Sequence, residues 1–267
     1  MLKQRIITAV ALALLFLFVL FGLPAAWFGA LLLVIVAACA WEWTALCALK
    51  SPVHKLSYVV SVTLVAFLIM LFGTTALIRL LALAGVLIWI VIALDLYRQP
   101  ISRRLTPDVL RLCSAALIVI VASVCMFQVR QGPGGAGFVL YMVALVACAD
   151  IGAYFAGKKF GVKKLAPQIS AGKTIEGVIG GMLLALYCNV FTAQAFANSQ
   201  TSAKSIFLMA TLAAMVSVVG DLYVSRAKRV AEVKDSGHML PGHGGVLDRF
   251  DGLLAAVPWM TFALLWL

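Results

Sequence analysis

Charged residues are scarce in this sequence. Only 12% of its 267 residues are charged, only 10 are acidic, and 64% are hydrophobic. An ordinary soluble domain carries about 25% charged residues, so this composition excludes that class. The mean hydropathy of +1.09 indicates an integral membrane protein instead. The apolar runs are continuous, which excludes the alternating pattern of a membrane β-barrel.

Cysteine and histidine motifs for metal binding or redox chemistry are also lacking. The six cysteines all lie in apolar segments without a CxxC pair, which is typical of small buried hydrophobic residues. This usage excludes a disulfide framework and a haem attachment site. His238 and His243 are five residues apart, but no cysteine or further histidine accompanies them, so we do not predict a zinc pair.

Long apolar runs predict an all-α fold, a polytopic integral membrane helical bundle with about nine transmembrane helices. The N-terminal MLKQR is not followed by a small-residue cleavage site, so we interpret the first run as a retained span. The predicted spans are residues 6 to 22, 25 to 48, 56 to 72, 77 to 96, 108 to 127, 137 to 157, 174 to 196, 204 to 224 and 252 to 267.

Basic residues are distributed unevenly between the two sides of this predicted bundle. Of the 21 lysines and arginines, only Arg79, Arg130 and Lys204 fall on the side opposite the N-terminus. The positive-inside rule therefore predicts a multi-pass protein of the inner (plasma) membrane with a cytoplasmic N-terminus and active site. The net charge of +11 lies in short loops, which favours attraction to the lipid bilayer and not binding to nucleic acid.

The two halves of the chain differ in polar content. Residues 1 to 130 are mostly Leu, Val, Ala and Ile, whereas residues 131 to 267 are rich in Gly, Lys and Asp. We therefore predict an N-terminal transmembrane scaffold and a C-terminal transmembrane catalytic region. Glu42, between Trp41 and Trp43, is the polar exception in the first half. It is an interfacial anchor, a member of a structural ion pair, or a functional group.

The stretch from Asp221 to Gly252 holds half of the ten acidic residues. If the preceding apolar run continues as a helix, Asp221, Ser225 and Lys228 recur at i, i+4 and i+7 and share one face. A carboxylate, a hydroxyl and an ammonium on one face suit a phosphate group and a divalent cation. The sequence therefore predicts that its chemistry is concentrated here.

Glycines in the same stretch predict a tight loop. Gly244 and Gly245 follow His243, and such a turn would deliver the next carboxylates beside the helix face. Asp221 and Asp248 would then meet at one metal ion. The alternative interpretation makes Asp248 and Asp251 helix N-terminal carboxylates that complement the helix dipole, and it suits Asp251 better.

A second polar region runs from residue 150 to residue 181. Asp150 and Tyr154 are one helical turn apart, and we expect both to face the interior of the bundle. The segment ISAGKTIEG is similar to a P-loop, but Pro167 stands where the first glycine is required and we predict no β-strand before it.

The same segment remains a candidate for anion binding. Lys173 and Thr174, with Ser170, present an ammonium and two hydroxyls to anionic oxygens. Glu176 opens the next helix. The alternative is an ordinary basic turn without a ligand.

Together these residues resemble the phosphatidate cytidylyltransferase (CDP-diacylglycerol synthase) family. The resemblance is carried in order by Ser225, Lys228, Arg229, Lys234, Asp235, Pro241, His243, Gly244, Gly245, Asp248, Arg249 and Asp251. ISAGKTIEG is similar to a second block of that family, although Ala171 and Gly172 stand where proline and lysine are usual.

The resemblance implies a metal-dependent nucleotidyltransferase that converts CTP and phosphatidic acid into CDP-diacylglycerol and pyrophosphate. Its metal ligands would be Asp221 and Asp248, which hold Mg²⁺. The catalytic residues would be Asp221, Ser225, Lys228 and Asp248. The substrate-binding residues would be Lys173, Thr174, Arg229, Lys234, Asp235, His243, Gly244, Gly245 and Arg249. A second metal ion or monovalent cation and a homodimer are left open.

Two alternatives to this function remain at the level of sequence. One is a membrane transporter for an anionic substrate, because intramembrane carboxylates also mark transport pathways. Transporters tend to place such groups near the midplane, whereas the polar residues here crowd one side. The other is a related lipid CTP-transferase or polyprenol kinase that acts on a different lipid.

Overall fold

A computed structural model describes residues 2–98, 108–196, 203–240, 242 and 244–266. Within them the chain forms nine α-helices, a π-helical turn and one small sheet, which confirms the predicted helical bundle. The helices are α1 (Leu2–Leu17, continued by the π-turn Phe18–Gly22), α2 (Ala25–Leu46), α3 (Pro52–Phe72), α4 (Thr75–Arg98), α5 (Asp108–Gln131), α6 (Gly135–Phe160), α7 (Ile175–Phe196), α8 (Ala203–Val230) and α9 (Leu247–Trp266); the strands are β1 (Lys164–Ala166) and β2 (Ser170–Thr174).

Seven of the described helices, α2 to α8, are long and apolar enough to cross a membrane. Their outer surfaces match a hydrocarbon environment. In α3, for example, Val62 and Ala66 are the buried residues, whereas Val53 and Phe72 are each 73% exposed. Large apolar side chains are stable at such positions when lipid surrounds them. The protein is therefore a multi-pass membrane protein.

Helix boundaries differ from the predicted spans by a few residues, and two of the differences fall beside the candidate site residues. Helix α8 continues to Val230, and α9 already begins at Leu247. Both extensions are polar helical turns, which a prediction based on apolar runs leaves outside the span. The extension of α8 carries Ser225 and Lys228, as the predicted helix face requires, and the extension of α9 carries Asp248.

The strands β1 and β2 form an antiparallel hairpin between α6 and α7, with Lys164 opposite Thr174 and Ala166 opposite Ser170. Our expectation that no strand precedes the Lys173 segment is therefore wrong. The strands pair with each other in a hairpin, which differs from the strand–loop–helix unit of a P-loop. Glu176 fixes the base of the hairpin, because its carboxylate accepts hydrogen bonds from Val162 N at 3.0 Å and Lys163 N at 3.1 Å.

Helices α6 and α7 pack with their backbones close together. A Cβ on Gly152 would stand 2.7 Å from the carbonyl oxygen of Gly180 and 2.9 Å from the Cα of Gly181. Since neither of these backbone atoms can move independently of α7, only glycine fits at position 152. This seam forms one wall of the cleft described below.

Side-chain contacts show that several helices have their ends at the same end of the bundle. Arg226 on α8 pairs with Asp95 at the end of α4 at 2.6 Å, and the hydroxyls of Ser114 on α5 and Tyr223 on α8 are 3.2 Å apart. At the opposite end, Arg130 donates to the carbonyl oxygens of Leu20 and Leu23, at 3.2 and 3.1 Å. These contacts place the ends of α4 and α8 beside the start of α5, and the end of the π-turn after α1 beside the end of α5, as alternating helix directions require.

The hydrophobic core does not separate into two halves along the chain. Each of its two clusters contains residues from both sides of residue 130, such as Leu20 with Leu253 and Trp43 with Leu247. The division into an N-terminal scaffold and a C-terminal catalytic region stays a prediction.

Candidate functional site

A cleft of about 480 Å³ opens between α6, α7, α8 and the hairpin. Its polar lining includes Asp150, Lys158, Lys173 and Asp221. Its apolar lining consists of Ala149, Ala153, Val178, Met182 and Val218. The cleft therefore combines charged groups with an apolar wall, as a site for an amphipathic ligand requires.

Asp150 and Tyr154 both line this cleft. The expectation that both face the interior of the bundle is wrong for Tyr154, which is 61% exposed, whereas Asp150 faces the cleft between α6, α7 and α8. Helical spacing placed the two residues on one face correctly but could not show what that face contacts.

The predicted helix face on α8 is present. Ser225 Oγ donates to Asp221 Oδ1 at 3.1 Å, as expected for residues four apart on a helix. Lys173 on the hairpin forms an ion pair with the other carboxylate oxygen of Asp221. The cleft is thus bounded by a lysine and a carboxylate from two separate segments.

Asp248 in the first turn of α9 is enclosed by hydrogen-bond donors. Its Oδ1 accepts from Lys228 Nζ at 2.7 Å, and its Oδ2 accepts from the backbone N–H groups of Ser236 at 2.9 Å and Gly245 at 3.1 Å. The Lys228 and Asp248 side chains are only 13% and 9% exposed. Gly244 adopts a φ of +84°, which confirms the tight glycine loop and explains why glycine is needed there.

A residue in the first half of the chain, Glu42, also forms hydrogen bonds with the loop before α9. Glu42 on α2 is 2% exposed, and its carboxylate accepts hydrogen bonds from Val246 N, Leu247 N and Ser236 Oγ. The sequence left the role of Glu42 open and did not single out Ser236. The available signal was an acidic residue between two tryptophans at membrane depth.

Further charges surround Asp221. Asp150 and Asp251 are both close enough to Asp221 and Lys173 for their charges to interact, and Arg249 also acts on Asp150. Asp251 accepts a hydrogen bond from Gly252 N at 2.7 Å. One electrostatic group therefore contains the carboxylates of Asp150, Asp221 and Asp251 and the cations of Lys173 and Arg249.

The remaining predicted substrate-binding residues occupy varied environments. Thr174 is buried, and its Oγ1 accepts from Gly177 N at 3.1 Å, as a helix cap does. Arg229 donates to the carbonyl oxygen of Ile169 at 3.1 Å and so ties α8 to the hairpin. Lys234, Asp235 and Arg249 are exposed. His243 lies outside the described residues. The substrate contacts of this set stay predictions.

The chemistry of the carboxylates is compatible with a bound cation. An ionised aspartate offers about four acceptor positions. The described contacts occupy three on Asp248 and two on Asp221, so each keeps an oxygen lone pair of the kind that Mg²⁺ prefers. The described residues contain no group of three His, Cys, Asp or Glu side chains placed to hold a metal ion. Any ion at Asp221 and Asp248 would need ligands from substrate phosphates or water.

Comparison with known proteins identifies the family. Residues 3–267 match the model of the cytidylyltransferase family. The chain is 36% identical to a phosphatidate cytidylyltransferase of Pseudomonas aeruginosa over 267 residues, which cover all of this chain and 97% of that protein. It is 34% identical to the phosphatidate cytidylyltransferase of Haemophilus influenzae over 284 residues, with 98% of each chain covered. The chain therefore belongs to the cytidylyltransferase family.

Proposed function

We propose that the protein is a phosphatidate cytidylyltransferase, which transfers CMP from CTP to phosphatidic acid and releases pyrophosphate. The observation that carries the proposal is the Lys173–Asp221 pair at the polar end of a cleft with an apolar wall. A lipid phosphate can meet the charged end while its glycerol and acyl parts remain against apolar side chains. Membership of the family and the names of the full-length relatives support the same activity.

In the proposed reaction, a phosphate oxygen of phosphatidic acid attacks the α-phosphorus of CTP. The bond to the β-phosphate oxygen breaks and pyrophosphate leaves. Because the lipid phosphate is already anionic at neutral pH, no general base is required. The protein's task is to position two anions and to neutralise their charge. Asp221, Ser225, Lys228 and Asp248 are the proposed catalytic residues.

The cations near the cleft are proposed to hold the phosphates. Lys173 lines the cleft from the hairpin. Arg229 lies in the last turn of α8 and Arg249 in the first turn of α9, at the polar end of the bundle. Lys234 is exposed on the loop after α8. Each would form charge-assisted hydrogen bonds with phosphate oxygens. Thr174, Asp235, His243, Gly244 and Gly245 are proposed to complete the substrate-binding loop.

We also propose that the enzyme depends on Mg²⁺ and that Asp221 and Asp248 hold the ion. When bound, the ion would neutralise charge on the phosphates during transfer. The acceptor positions that the described contacts leave open on Asp221 and Asp248 support this assignment. A second metal ion or monovalent cation and a homodimer stay predictions.

The proposed location is the inner (plasma) membrane, with the N-terminus and the active site on the cytoplasmic side. Two observations support it. Basic residues are concentrated on one side of the bundle, and the substrate CTP is a cytoplasmic nucleotide. The carboxylates of the electrostatic group lie at that same end.

The proposed function is tested by incubating purified protein in detergent with CTP labelled at the α-phosphate, phosphatidic acid and Mg²⁺. Label should appear in a lipid fraction as CDP-diacylglycerol, with an equal amount of pyrophosphate. Replacing phosphatidic acid with a polyprenol and moving the label to the γ-phosphate tests a polyprenol kinase, because a kinase transfers that phosphate. Another lipid phosphate with the label kept at the α-phosphate tests a related lipid CTP-transferase. Absence of labelled lipid from phosphatidic acid would contradict the proposal. Labelled lipid from another acceptor would then favour a related lipid enzyme, and uptake of anions by proteoliposomes would favour the transporter.

A further inference from the structure

Glu42 connects the first half of the chain to the segment that precedes Asp248. Its Oε1 accepts from Val246 N at 2.9 Å, and its Oε2 accepts from Leu247 N at 2.9 Å and from Ser236 Oγ at 2.6 Å. All three donors lie between residues 236 and 247. A carboxylate from α2 therefore holds both ends of this segment.

Glu42 lies on α2 but caps the N-terminus of another helix, α9. Leu247 is the first residue of α9, and the first N–H groups of a helix have no partner within it. A polar side chain beside the helix start usually accepts from them, but Val246 offers none. Glu42 takes this role across the bundle, and its negative charge faces the positive end of the helix dipole.

The segment is shaped to admit this carboxylate. A Cβ on either Gly237 or Gly245 would stand 2.8 Å from the carboxyl carbon of Glu42. No ordinary contact is that short, so both positions must lack a side chain for Glu42 to reach the backbone N–H groups. Gly237, Gly245 and the Glu42 carboxylate therefore form one closely packed unit.

Ser236 links this unit to the candidate active site. Its hydroxyl donates to Glu42, whereas its backbone N–H donates to Asp248 Oδ2. Gly245 also donates to Asp248 Oδ2, and the next two residues donate to Glu42. Glu42 and Asp248 therefore hold the same segment from opposite sides, and a displacement of one alters the position of the other.

We propose that Glu42 is a positioning residue of the transferase, which fixes Ser236, Val246 and Leu247 and thereby sets the place of Asp248. The proposal rests on the proposed function, since it assigns Asp248 to catalysis. Glu42 is buried beneath the segment and acts through it, without contacting substrate.

The test is Glu42→Gln, which preserves size but turns an acceptor into an NH₂ group that faces a donor. We expect the turnover number per folded molecule to fall about 100-fold, as displacement of a catalytic group by about 1 Å can cause. The KM values for CTP and phosphatidic acid should change little. Glu42→Asp keeps the charge on a shorter side chain and should restore part of the turnover.

Thr44→Val is the matched control. Thr44 is also fully buried on α2, but its described hydrogen bond, from the hydroxyl to Trp41 O at 2.7 Å, stays within the same helix. Folded Thr44→Val should keep the wild-type turnover number. Equal losses in Thr44→Val and Glu42→Gln, or wild-type turnover in folded Glu42→Gln, would overturn the positioning role.

Hydrogen exchange separates this inference from the proposed function. Glu42→Gln should accelerate exchange at the amides of Val246 and Leu247 whether or not the wild type makes CDP-diacylglycerol. Unchanged exchange there would overturn the inference by itself. If Glu42→Gln does not fold, Ser236→Ala replaces it, with smaller changes expected in turnover and exchange. No change in either quantity would likewise overturn the inference.

Discussion

Lys228 near the end of α8 donates a 2.7 Å hydrogen bond to Asp248 in the first turn of α9. The two residues are 20 positions apart in the chain, and both side chains are largely buried. This pair closes the loop between the two helices and couples the candidate site to the stability of the fold. Removing Lys228 leaves the buried Asp248 carboxylate without its counter-charge, with only the backbone N–H groups of Ser236 and Gly245 among its described donors.

Lys228→Met should therefore lower both stability and activity. We expect unfolding to become easier by about 3 kcal/mol, the lower end of the range for breaking a buried ion pair. Thermal unfolding in detergent and the turnover number are the measurements. Asp108→Asn is the control, because Asp108 pairs with Arg111 but is 58% exposed, and such a pair contributes at most about 1 kcal/mol. Equal stability of the two variants would contradict the prediction.

Much of the fold could be predicted because it depends on local patterns. Continuous apolar runs indicate membrane helices, and the i, i+4 spacing of Asp221 and Ser225 indicates their contact, which the 3.1 Å hydrogen bond confirms. The glycine loop was predictable for the same reason, since the left-handed backbone at Gly244 is a property of that residue.

Other features depend on residues that are distant in sequence and were not predictable from local patterns. Glu42 and its partner Leu247 are 205 positions apart, so nothing near Glu42 indicates a cap for α9. The strands of the hairpin are three and five residues long and lack an alternating apolar pattern. Glu176 contacts the base of the hairpin at Val162, and Arg229 contacts its turn at Ile169; sequence periodicity shows neither contact.

Lys173→Ala tests the hairpin's role in binding an anionic substrate. Lys173 lines the cleft and pairs with Asp221, so its removal should raise the apparent KM for CTP or phosphatidic acid. One charge-assisted contact corresponds to about 1.5 to 3 kcal/mol, measured as the change in kcat/KM. Lys164→Ala is the matched control, because Lys164 is an exposed cation on the same hairpin that does not line the cleft. Unchanged kinetics for both substrates in Lys173→Ala would favour an ordinary basic turn.

The orientation in the membrane can be tested with single cysteines in a cysteine-free variant. Lys163→Cys and Val233→Cys lie at exposed positions beside the candidate site and should react with an impermeant thiol reagent only from the cytoplasmic side. Gln131→Cys, exposed at the opposite end of the bundle, should react only from outside. The prediction follows from the distribution of basic residues, and the reversed pattern of labelling would overturn it.

Asp221→Asn should abolish turnover without unfolding the protein. The side chain of Asp221 is 31% exposed, and asparagine can still accept the hydrogen bond from Ser225, so the fold loses little. The charge that would balance Lys173 and help to hold Mg²⁺ is lost, and any residual activity should require more Mg²⁺. Asp248→Asn should also abolish turnover, but with a lower melting temperature, because an amide NH₂ would face Lys228 or the backbone donors.

The double variant with both substitutions should be no slower than either single one, because groups that act through one ion are strongly non-additive. Turnover of CTP at several Mg²⁺ concentrations and melting temperatures in detergent are the two measurements. Asp95→Asn serves as the control, since Asp95 is 49% exposed and its ion pair with Arg226 lies outside the cleft lining. Substantial activity in either single variant at ordinary Mg²⁺ concentration would show that the ion is held elsewhere. Asp150 and Asp251, whose charges interact with Asp221, and the exposed Asp235 would then be the carboxylates to replace.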